Sequence, residues 1–135
     1  MATCAMKNPF QPGNIKTFTH LVTPEDAAAF ESGAVHPVYS TFALARDAEW
    51  SGRLFVLEMK EQDEEGIGTS ISVIHHSPAI VGNEVIFTAT LMDVIKHEVR
   101  TSFEARVGER LIASGEQRQK ILKKSRLEQL FDSLT

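Results

Sequence analysis

Thr41, Glu49 and His75 bring a hydroxyl, a carboxylate and an imidazole, residue types that can hold an oxyanion, act as base or nucleophile, and carry a proton. Partial burial among small, apolar helix neighbours would raise a glutamate toward neutrality and suit it as base or nucleophile. A histidine is the usual partner for proton transfer near pH 7. A threonine hydroxyl, with the N–H groups that head a helix, can hold a developing oxyanion. Each also has an ordinary reading: Glu49 as a solvated helix residue, Thr41 as a cap, His75 as a satisfied strand-end histidine. On one straight helix Thr41 and Glu49 would stand about 12 Å apart along the axis and roughly 80° apart around it. They cannot then touch, so either His75 bridges them or a partner subunit supplies one member. Gly68 would let a ligand approach backbone amides, although a glycine at a strand start is equally ordinary. The pair His75-His76 invites a metal reading, but no other ligand stands at a metal-site spacing and no metal is expected.

The elements that must position these residues can be read from periodicity. From Val38 to Met59 there is no proline, and the one glycine is Gly52. Leu44, Ala48, Ser51, Phe55 and Met59 recur at steps of three and four, which predicts a helix of about five turns. Ser40 or Thr41 suits its cap. Ala43, Ala45, Ala48, Ser51 and Gly52 are small enough for another backbone to approach, and Trp50 is expected to pack. Lys60 to Gly66 reads as a loop. The period then changes to two: Ile67–Ile74, Asn83–Ile95, Glu98–Val107 and Glu109–Lys120 are predicted strands. Clean one-sided alternation in Glu98–Val107 predicts an antiparallel sheet with one wet face. Ahead of the long helix, residues 14 to 23 predict a first strand. Thr23-Pro24-Glu25-Asp26 starts a helical turn that Ala27 to Phe30 complete and Ser32-Gly33 stop. The tail from Ile121 to Leu134 has helical spacing. The class is α+β: about five antiparallel strands around one long central helix.

With 135 residues, the chain has room for one domain, 1–135. A net charge of −4 argues against a nucleic-acid binder, which would show a basic face. Basic residues do gather at Arg118, Lys120, Lys123, Lys124 and Arg126, either as a solvated surface or as an anchor for a phosphate-bearing ligand. Cys4 is the only cysteine, so no intrachain disulfide forms. Residues 1–13 read as a polar, mobile leader without the apolar stretch of a signal peptide. No apolar run approaches the ~20 residues that span a bilayer. The cytoplasm is the expected location.

Two motifs resemble a known family. Val38-Tyr39-Ser40-Thr41, followed by Glu49-Trp50, is similar to the central helix of the hotdog-fold thioesterases, in the fluoroacetyl-CoA thioesterase-like branch. Gly68-Thr69-Ser70-Ile71-Ser72-Val73-Ile74-His75 is similar to that branch's Gly-Thr strand ending in histidine, and Gly82 and Ser114-Gly115 fall where it has glycines. The resemblance covers most of residues 35 to 121. It implies a hotdog fold and an acyl-CoA thioesterase that releases a carboxylic acid and free CoA. Glu49 would be base or nucleophile, His75 general acid/base, and Thr41 an orienting or oxyanion-side residue, with Gly68 and His76 binding substrate. It implies no cofactor beyond the CoA of the substrate, no nucleic-acid or membrane partner, and a homodimer or higher homo-oligomer. The fluoroacetyl-CoA-selective enzyme carries phenylalanines just ahead of its threonine; residues 31–37 here have none, so fluoroacetyl-CoA is not the expected substrate. A non-catalytic acyl-CoA binding protein is the alternative of another class. An acyl-CoA hydratase or dehydratase would need an Asp followed closely by Asn-Pro and His, and that run is missing.

Overall fold

The apolar stripe predicted from Leu44 to Met59 forms the buried face of helix α1, Thr41–Met59; Leu44, Ala48, Ser51, Phe55 and Met59 are all fully buried. Ser40 caps it by accepting the Ala43 N–H at 2.9 Å. The computed structural model describes residues 6–30 and 33–135, so Cys4, Glu31 and Ser32 lie outside the described residues.

Around α1 the chain lays down β1 (Ile15–Leu21), β2 (Ala27–Phe30), β3 (Gly33–Tyr39), β4 (Glu64–His75), β5 (Glu84–Ile95), β6 (Glu98–Val107) and β7 (Arg110–Lys123). A ten-residue helix, α2 (Lys124–Ser133), ends it. Five strands form one antiparallel sheet in the order β1-β5-β6-β7-β4, and β2 pairs with β3 as a separate hairpin. The sheet curls around α1 in the expected hotdog arrangement. Alternation fixes its inner face: Val85, Phe87, Ala89 and Leu91 of β5, and Val99, Thr101, Phe103 and Ala105 of β6, are buried against the helix. Small residues let α1 sit close. A Cβ on Gly52 would overlap the Gln117 side chain, which bonds Thr101 in the same layer. Gln119 follows it, donating to Gln117 Oε1 at 2.9 Å and to the Glu49 carbonyl at 3.1 Å. The buried amides of the inner face are thereby satisfied.

Four expectations require correction. Ala27–Phe30 does not complete a helical turn; the turn stops after Pro24–Asp26 and the alanines form β2, whose cross-strand partner β3 supplies pairing that outweighs alanine's helix propensity. Residues 6–13 are not a loose leader. Met6 and Phe10 pack on the core around Phe55, with the Phe10 and Phe55 rings edge to face at 5.0 Å, and the Lys7 N–H bonds the Met59 carbonyl. The loop after α1 ends earlier than Gly66, because Glu64 already pairs with Lys123 in the β4–β7 ladder. Ile121 and Leu122 extend β7 rather than starting the tail helix. Among the described residues no helix is long and apolar enough to cross a membrane.

Candidate active site

The start of α1 and the end of β4 meet at one point. Thr41 is the first helical residue and His75 the last of β4, and Thr41 Oγ1 lies 3.1 Å from His75 Nδ1. The other ring nitrogen, His75 Nε2, is buried with no hydrogen-bond partner among the described residues. Burial pushes the imidazole below its usual pKa, the backbone of Ser77 works against this, and neighbouring His76 adds to the lowering. The ring is therefore neutral at pH 7, with one nitrogen able to accept a proton. Thr41, His75, His76, Ser77 and His36 line an open cleft of about 360 Å³. His76, expected to bind substrate, lines the same cleft as Thr41 and His75, and its Nε2 lies 2.8 Å from Ser114 Oγ.

Glu49 and Gly68 form a second group. Gly68 has no side chain, and the Glu49 carboxylate occupies the space a Cβ there would fill. Gly68 thus admits a side chain of its own helix to the strand. Glu49 is exposed in the single chain, contrary to the expected partial burial, and Trp50, expected to pack, is 43% exposed. His75 does not bridge Thr41 and Glu49: its Nδ1 faces Thr41 and its Nε2 has no partner. His75 stands seven positions after Gly68, an odd spacing that in a regular strand puts them on opposite faces. The register shift between Gly68 and Ser70 inserts Thr69 as a bulge, which turns both toward α1. Sequence reading missed this bulge.

It also missed the polar network beneath Thr41. Tyr39 is buried and donates its hydroxyl to Asp47 Oδ2; His20 Nε2 lies 2.7 Å from Asp26 and 3.4 Å from Asp47. Arg46 spans both carboxylates at 3.0 Å. The ligand atoms of His20, Asp26 and Asp47 lie close enough together to hold a cation, but the Arg46 guanidinium already pairs with both carboxylates. The network fixes the approach to the helix, because the Ser40 N–H bonds the Asp26 carbonyl at 2.9 Å and Tyr39 N–H bonds Ala79. Burial raises the Asp26 pKa, but the Thr23 N–H, His20 and Arg46 outweigh it and hold the carboxyl at about 2 against the ordinary 3.8. Because the folded pKa is depressed, this contribution is complete above about pH 4 and is lost as pH falls toward 2. It amounts to roughly 2 kcal/mol. Melting temperatures between pH 6 and pH 2.5 should therefore fall less steeply in Asp26→Asn than in the native chain. Parallel curves would show that Asp26 carries no such linkage.

The basic residues of β7 and α2 do not join this site. Lys123 bonds Asp63 at 2.7 Å, and Arg118 stands 3.6 Å from Glu98.

A long helix embraced by a curled antiparallel sheet, with a hydroxyl and an imidazole meeting at the helix start, defines a hotdog-fold thioesterase. The fluoroacetyl-CoA-specific thioesterase family matches residues 22–125, and the chain belongs to that family of thioester hydrolases. Among solved structures it is 35% identical to a thioesterase superfamily member from Thermus thermophilus, with 95% of each chain covered and a TM-score of 0.90. A variant of the fluoroacetyl-CoA-specific thioesterase is 22% identical, with 96% of this chain and all of that one covered and a TM-score of 0.85. A hot-dog-like protein from Thermanaerovibrio acidaminovorans is 22% identical, with 92% of each covered and a TM-score of 0.84. No curated protein sequence matches.

Proposed function

We propose that the protein hydrolyses acyl-CoA thioesters at a site built by two copies of the chain, Thr41 and His75 from one and Glu49 from the other. The observation that carries this reading is the Thr41–His75 hydrogen bond with the opposite ring nitrogen buried and unpartnered. A nucleophile, a base bonded to it and a third group that orients the base form the usual covalent-catalysis arrangement. A carboxylate at His75 Nε2 would hold the tautomer whose Nδ1 is basic. The chain's own Glu49 is engaged at Gly68, so a second copy supplies it.

Strand β4 supports that assembly. It is the sheet's edge, twelve residues long, and Ile71 and Ile74 on it are exposed. Such an edge is a template for a further strand. Antiparallel pairing of two copies centred on Ser72, with Thr69 the extra residue of each bulge, sets Gly68 of one opposite His75 of the other. Directly opposed residues share a face, and the Thr69 bulge has put both on the helix side. Glu49, resting on Gly68, then arrives beside the partner's imidazole.

In this reading His75 takes the Thr41 proton as its oxygen attacks the thioester carbon. The C–S bond breaks as the proton passes to the CoA sulfur. Water then cleaves the Thr41 ester with His75 as base, releasing the carboxylic acid. The N–H groups of Thr41 and Phe42, heading α1 beside the cleft, face the developing oxyanion. Location in the cytoplasm, where CoA esters are made and used, fits this role. Release of free thiol from acetyl-, octanoyl- and phenylacetyl-CoA tests the proposal. Turnover of at least one ester is expected; binding of all three without thiol release would make the protein an acyl-CoA binding module instead.

A further inference from the structure

A second void opens on the other side of Thr41. It measures about 690 Å³ and is lined by Ala27, Ala28, Ala29, Phe42 and Ala43, with Glu25 and Arg46 at its rim. Ala28, Ser40 and Thr41 line both this chamber and the cleft that holds His75, so the two are continuous at the reacting hydroxyl. Three consecutive residues of one strand do not ordinarily share a side. Here register shifts between Ala27 and Ala28 and between Ala28 and Ala29 break the alternation, and all three alanines line the same space. Any larger residue at these positions would fill it.

We infer that this alanine-lined chamber receives the acyl group, and that it selects an uncharged apolar chain of medium length over a two-carbon one. The inference rests on the thioesterase reading and names the substrate class of that site. Size is the first argument: the chamber falls within the ~300–1,000 Å³ of pockets that enclose drug-sized ligands, of which an acetyl group would fill a small part. Lining is the second. Apart from the rim and the Ser40–Thr41 entrance, every named wall residue is alanine or phenylalanine. Phe42 is 85% exposed, an aromatic face left open beside the reacting hydroxyl. Charge is the third. Arg46 already spans Asp26 and Asp47, so the rim offers no cation to an acyl carboxylate, while Glu25 would repel one.

The test is the kcat/KM for CoA release across straight-chain esters from acetyl to dodecanoyl, with succinyl-CoA added. The native protein should prefer octanoyl- to acetyl-CoA at least tenfold and should turn over succinyl-CoA no faster than acetyl-CoA. Ala29→Phe, filling the chamber, should cut the octanoyl-to-acetyl ratio at least tenfold. Ala29→Leu, a smaller insertion, should cut it less, and its melting curve shows whether the fold is kept. A preference for acetyl-CoA, or a ratio unchanged in both folded variants, would overturn the inference while leaving the thioesterase intact. Acetyl preference is also the result expected if a second copy fills the chamber. Failure to release CoA from every ester would instead remove the thioesterase reading, and this inference with it.

Discussion

Replacing His75 with alanine should slow CoA release by roughly 10²–10⁴-fold, the usual contribution of a positioned general base. The effect should fall on kcat, because in the proposed mechanism the imidazole acts on the Thr41 proton and not on the bulk of the substrate. Burial has lowered its pKa, so the ring is already in the basic form at neutral pH. The native rate should therefore hold steady as pH drops to the ordinary histidine value of 6.5 and decline only below it. The fold should tolerate the change well. His75 is only partly buried, its side chain meets the exposed Thr41 hydroxyl, and truncation also removes a buried nitrogen without a partner among the described residues. A variant that keeps the native melting curve and the native kcat would remove His75 from the chemistry. Thiol release and circular dichroism on one preparation decide it.

The largest effect on stability belongs to Gly115→Ala. Gly115 lies on β7 between Val73 of β4 and Phe103 of β6. A Cβ there would overlap the Ser72 carbonyl oxygen and come within 2.9 Å of Phe103 Cε1. The Ser72 oxygen belongs to the backbone of a paired strand, so no rotamer change relieves the clash; the β4–β7 ladder would have to open. Overpacking in a well-filled interior costs about 1–3 kcal/mol where side chains can adjust, and here a main chain must move. A loss of about 3 kcal/mol or more is expected, read as a falling denaturation midpoint in urea. Gly68→Ala is the control. Its Cβ meets the end of the flexible Glu49 side chain, which can swing away, so stability should be nearly unchanged while the carboxylate is displaced.

Periodicity carried the central helix and strands β5 and β6, because their buried faces recur without interruption from Leu44 to Met59, Val85 to Leu91 and Val99 to Ala105. It failed at Ala27–Phe30, where a run of alanines has strong helical propensity and only pairing with a distant segment makes a strand. The same failure hid the alanine-lined chamber, since a helical turn would have sent the three alanines in different directions. Thr41 and His75 were each legible at the boundary of an element with a clear signal. Their direct contact was not, since the sequence reading had His75 bridge Thr41 to Glu49 or left one member to a partner subunit. Glu49 was legible as a residue but not as a neighbour of anything. Its place depends on the Thr69 bulge and the missing Gly68 side chain, neither of which has a periodic signature. The Tyr39–Asp47–His20 network was equally silent, as its members come from three elements separated in sequence.

The sharing of one site between two copies is most directly tested by mixing two inactive variants, Glu49→Ala and His75→Ala, through unfolding and refolding together. Random reassortment into two-fold dimers gives half mixed pairs, each with one intact site of its two, so about a quarter of native thiol release should return. A mixture no more active than either variant alone would contradict the shared site and place all three residues' chemistry, if any, within a single chain.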